Sequence, residues 1–123
     1  MIKNFEDFTA ELTDYEKNDI VPALVERLQV RVGSRQAIRN KELCRILTAN
    51  GLKGLSEARV RKCINYIRHE GLVENLIANS RGYFVATSIQ QVEDYRVSLR
   101  QRASAIMAID EALGRGIMGR LFI

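Results

Sequence analysis

Apolar side chains recur at helical spacing in four stretches of this chain and abandon that spacing in a fifth. In the first stretch Ile20, Val21, Leu24 and Leu28 form a stripe running towards Val30, which predicts a helix. Thr13-Asp14-Tyr15-Glu16 has the Thr-x-x-Glu spacing of a capping box at its start. Pro22 interrupts the stripe, so the helix either bends there or begins at Asp19 with Pro22 in its first turn. One long first helix with a local bend is the preferred reading. Before it, Met1–Leu12 is acidic and weakly amphipathic through Phe5, Phe8 and Leu12, and suits a short docked helix or a frayed arm.

Gly33-Ser34 breaks the pattern, and Arg35–Arg39 reads in context as a brief strand with Ile38 as its one apolar anchor. Asn40 then caps a second predicted helix over 41–50, whose apolar face is Leu43, Cys44, Ile46 and Leu47 and whose stop is Gly51. A glycine-containing connection leads to the third and most informative helix. Ser56 is its N-cap, Glu57 complements the dipole, and Gly71 ends it. Val60, Cys63, Ile64 and Ile67 are its apolar face, while Arg59, Arg61, Lys62, Asn65, Tyr66 and Arg68 occupy the rest of the wheel. After Gly71 the period changes: residues 72–78 and 83–86 are rich in β-branched, aromatic and aliphatic residues, separated by the turn cluster Asn79-Ser80-Arg81-Gly82. The expected fold is mainly α with a small β-hairpin (α+β): a winged helix-turn-helix followed by a long C-terminal helix.

That last helix begins at a Thr87 or Ser88 cap and runs to Leu113. Val92, Tyr95, Leu99, Ile106, Ile109 and Leu113 follow a heptad, with Arg102 in a slot that should be apolar. Such a seam requires a partner. A second copy, giving a homodimer through helix 88–113, is the preferred one, and the chain's own first helix is the other. The sequence therefore divides into a winged-helix unit with its N-terminal helix (1–87), the long helix (88–113) and a glycine-rich apolar tail (114–123), to which no role is assigned.

Composition narrows the function. No run of 18 apolar residues and no basic-then-apolar leader is present, so a soluble, cytoplasmic protein without a membrane partner is expected. Residues 1–34 carry four Lys/Arg and seven Asp/Glu, residues 35–81 ten and four, and residues 82–123 five and four, so the positive charge gathers on the unit around the third helix. Cys44 and Cys63 read as small buried hydrophobes, and with the lone His69 they lack further partners at zinc-like spacing, so no metal or other cofactor is expected. Phosphate-cradling loops, paired-carboxylate motifs and nucleophile elbows are missing, which argues against an enzyme.

The chemistry that remains is polyanion recognition. With the third helix (56–70) in the major groove of double-stranded DNA and the hairpin (73–86) as a wing, Arg59 and Lys62 suit guanine and Asn65 suits adenine. Arg61 sits one residue after core-facing Val60 and is expected on a phosphate, together with Lys53, Arg68 and Arg81, and with Arg39 and Lys41 as further candidates. The alternative is a winged helix that assembles with another protein and touches no DNA.

Several of these stretches, namely Lys41-Glu42-Leu43, the run 59–68, Gly71-Leu72, the run 80–87 and Ser98-Leu99-Arg100-Gln101-Arg102, together resemble the small winged-helix proteins encoded by bacteriophages and prophages. The resemblance covers about three quarters of the chain. It implies DNA binding in phage gene control, as a transcriptional regulator, or in replication, and no catalysis. It offers no guidance for the tail after Leu113.

Overall fold

The computed structural model describes residues 11–117, and the expectations for 1–10 and for the end of the tail lie outside the described residues. The fold is mainly helical α+β. A π-helical turn, Glu16–Ile20, runs directly into α1 (Val21–Leu28); after a short 3-10 turn at Ser34–Gln36 come α2 (Asn40–Ala49), α3 (Glu57–Glu70), strands β1 (Leu76–Asn79) and β2 (Gly82–Val85), and finally α4 (Ile89–Gly116). The chain divides between Thr87 and Ser88 into two compact units. Among the described residues no helix is long and apolar enough to cross a membrane.

In the first unit the apolar stripes meet in one core. Ile20, Leu24 and Leu28 from the first helical run, Leu43 and Leu47 from α2, and Val60, Cys63, Ile64 and Ile67 from α3 are all sealed from solvent. Truncating any one of the aliphatic side chains to Ala is worth about 2–5 kcal/mol in such a setting, because the cavity only partly collapses. The first helix is helical from Asp14 and carries its irregularity just before Pro22. A residue without an N–H cannot bond back along the helix, and the wider π turn is where that disturbance is absorbed.

In the first unit the helix ends follow their residues closely with one exception. Ser56 Oγ accepts from the Arg59 N–H at 3.1 Å, and Gly71 adopts the left-handed conformation (φ 66°) in which its N–H closes on Ile67 O. Asn40, expected to cap α2, lies inside the helix as its first residue; Arg39 holds the cap position without a side-chain bond. The Asn40 amide is drawn away because its Nδ2 donates to Glu57 O at 2.8 Å, tying the start of α2 to the start of α3.

The hairpin is antiparallel, with Leu76 opposite Val85 and Asn79 opposite Gly82. The brief strand expected at Arg35–Arg39 is a correction: Ser34–Gln36 coil into a 3-10 turn, and only single bridges flank it, Val32 with Val85 and Ile38 with Tyr83. Ile38 and Tyr83 exchange two backbone hydrogen bonds of 3.0 and 2.8 Å, while Val85 donates to Arg31 O and accepts from Gly33 N. The wing is thus held from both sides of β2.

The second unit is α4 itself. Ser88 caps it through its Oγ, which accepts from Gln91 N–H at 3.2 Å. Its 28 residues span about 42 Å at 1.5 Å per residue. The helix passes Leu113, its expected end, and reaches Gly116, because Ile117 keeps helical geometry and its N–H bonds back to Gly114 O and Leu113 O. None of its residues is buried.

Candidate nucleic-acid interface

With its core face turned inward, α3 presents three zones. Ala58, Lys62, Asn65 and His69 lie at the centre of the outer face; Arg61 and Arg68 lie on one flank, and Arg59 and Tyr66 on the other. The two flanks meet different neighbours.

The Arg59 flank faces the N-terminal helix, where Glu16 is 3 % exposed. Arg59 Nε donates to Glu16 Oε2 at 2.9 Å, and Lys62 Nζ donates to Oε1 of the same carboxylate at 2.9 Å. Arg59 also donates through Nη1 to Gly54 O at 3.1 Å and rests over the Tyr15 ring, 5.2 Å from its centroid. The Tyr15 hydroxyl donates to Lys53 O and accepts from Lys53 N–H, pinning the α2–α3 connection. The capping box is complete: Thr13 Oγ1 accepts from Glu16 N–H and Glu16 Oε1 accepts from Thr13 N–H. Burial alone would raise the Glu16 pKa, but the Thr13 N–H and the Lys62 and Arg59 side chains outweigh it and hold the carboxyl down at about 2. Cys63 lies under this cluster; burial, with the nearby Glu16 charge, pushes its thiol up to about 11.

The Arg61 flank faces the wing. Exposed Arg61 and Arg39 line a cleft of about 270 Å³ together with Asn40, Ala78 and Asn79 at the end of β1, the turn residue Ser80, and Gly82 and Tyr83 of β2. Arg39 Nη2 makes a long 3.5 Å contact to Ser80 O. Exposed Arg81 stands at the hairpin turn, its N–H bonded to Asn79 Oδ1 at 2.8 Å. Asn40, one of the residues lining this cleft, has its Oδ1 buried without a hydrogen-bond partner among the described residues.

The residues expected to act together are therefore sorted into two groups. Arg61 is gathered with Arg39 and the wing turn, Asn65 and Arg68 are half-buried on α3, and Lys53 is exposed in a connection held by Tyr15. Arg59 and Lys62, read from the sequence as base readers, are ion-paired to Glu16 through Arg59 Nε–H and one Lys62 Nζ–H, which holds both side chains towards the N-terminal helix. Three participants were not anticipated. Tyr15 carries no local signal for its role, whereas the capping-box glutamate was visible but its reach to α3 was not, since it spans 43 and 46 residues of sequence. Asn40, read only as a cap, is the third surprise.

No family model, curated protein or solved structure matches the chain. The functional reading accordingly rests on the geometry above.

Proposed function

We propose that the first unit binds double-stranded DNA without catalysis, chiefly through its phosphate backbone, as a regulator of transcription or a replication factor of the phage type. The observation that supports this is the cleft where Arg39 from the start of α2 and Arg61 from α3 come together beside the wing turn that carries Arg81. Two cations in one cleft, with a third on the adjoining wing turn, suit a strand that runs between wing and helix, and Lys41 and Lys53 are further exposed cations of the same unit. Asn65 and Ala58 remain at the centre of the outer face for contact with base edges, while the Glu16 pairs make Arg59 and Lys62 supports of the helix. Positioning contacts then outnumber reading contacts, and modest sequence selectivity is the expected consequence.

The competing reading, a winged helix that binds another protein, draws on the same pairs, because they withdraw two cations from the polyanion surface. Fluorescence anisotropy with a random-sequence duplex separates the two. If about six phosphates are neutralised, log Kd against log salt has a slope of magnitude near 5, at about 0.9 per phosphate. Arg39→Ala, Arg61→Ala and Arg81→Ala combined are expected to weaken binding by at least tenfold and flatten that slope. A triple variant that folds and binds DNA as tightly as the parent overturns the reading.

A further inference from the structure

The long helix leaves a row of large apolar side chains in water: Leu99 is 40 % exposed, Ile106 47 %, Ile109 62 % and Leu113 65 %. All four fall on the heptad seam that Val92 and Tyr95 begin, and Arg102 sits in the one polar slot of that seam. A soluble helix with such a stripe is incomplete alone, and the charges beside the stripe specify what completes it.

We infer that a second copy of this helix packs against the first in antiparallel orientation. Four consequences of the pattern decide the direction. In a parallel pair equivalent residues face each other, so Arg102 meets its own copy within the seam, placing like charges in the least hydrated layer of the contact. The flanking pairs of that arrangement, Gln91 with Arg96, Ser98 with Ala103 and Ala105 with Asp110, include no opposite charges. Reversing one copy about a point near Ser104 changes every layer: Leu99 packs on Ile109, Tyr95 on Leu113, and Arg102 lies beside Ile106 with its apolar stem in the seam. The same reversal sets Arg96 of each copy against Asp110 of the other, giving two ion pairs at the edge of the stripe and leaving Asp110 within a turn of Arg102. Arg96 already pairs with Glu93 one turn earlier at 3.0 Å, so its head is held on the flank from which it would reach across.

The inference concerns only the long helix and is independent of DNA binding. Its test is sedimentation equilibrium together with directed crosslinking in full-length protein carrying Cys44→Ser. The parent is expected to dimerise, Leu99→Glu to be monomeric because it puts a carboxylate on Ile109 beside Asp110 of the other copy, and Asp110→Arg to weaken the dimer roughly tenfold by turning two attractions into repulsions. Under mild oxidation Leu99→Cys and Ile109→Cys each alone are expected to stay uncrosslinked, since the two copies of either position lie about 15 Å apart along an antiparallel pair. Mixing the two variants is expected to yield the mixed disulfide. Efficient self-crosslinking of Leu99→Cys, or a parent that stays monomeric at high concentration, overturns the inference.

Discussion

Glu16 keeps its charge far below the pH at which an ordinary glutamate takes up a proton, and that sets a pH window for stability. Its carboxyl titrates at about 2 in the folded chain against an ordinary 4.5. As pH falls through 4.5 the unfolded chain binds the proton first, so the stabilisation is complete above that value and is lost progressively down to about 2. A shift of this size corresponds to about 3 kcal/mol. Urea denaturation at pH 7 and at pH 3 checks it: Glu16→Gln is expected to cost about 2 kcal/mol at pH 7 and to close most of the gap between the two conditions. Both halves of Glu16's role are local chemistry, but only one was legible in the chain. The capping box is written in four consecutive residues, whereas pairing with Arg59 and Lys62 depends on how the π-helical turn before α1 lies against α3, which no short-range pattern encodes.

Among the elements, the hairpin is the one whose position depends most on a single residue. Gly82 has φ +122°, and a Cβ there would overlap the Ile38 carbonyl where the segment between α1 and α2 bonds to β2. Gly82→Ala is therefore expected to destabilise the first unit by about 3 kcal/mol or more and to detach the wing from Ile38, read as loss of hydrogen-exchange protection at the Ile38 and Tyr83 amides. The helices themselves were readable because their signals are periodic and local: Ser56, Gly71 and Ser88 all do at α3 and α4 what their types suggest. Segment 32–38 was not, since it is held by two isolated bridges to a strand far along the chain and has no period of its own. Asn40 misled for a related reason, because a better partner than its own helix was available in Glu57 O.

At the scale of the whole molecule, the proposed function makes Glu16 a brake on polyanion binding: its single negative charge engages two of the ten cations carried by residues 35–81. Removing its charge should release both. Glu16→Gln, assayed well below its melting temperature, is expected to bind duplex DNA more tightly at low salt and to steepen the log–log salt dependence by up to about 1.8. An unchanged slope would mean that Arg59 and Lys62 stay away from the phosphates even when freed. The bridges from Val32 and Ile38 to β2 carry a different consequence, for the order of events during synthesis. Neither contact can form until β2 has been made, well after the residues it bonds to. A chain still on the ribosome and not yet extended past Val85 thus has α3 and its cations but no fixed wing. Competence for the proposed ligand arrives in one step, when the last strand of the first unit emerges.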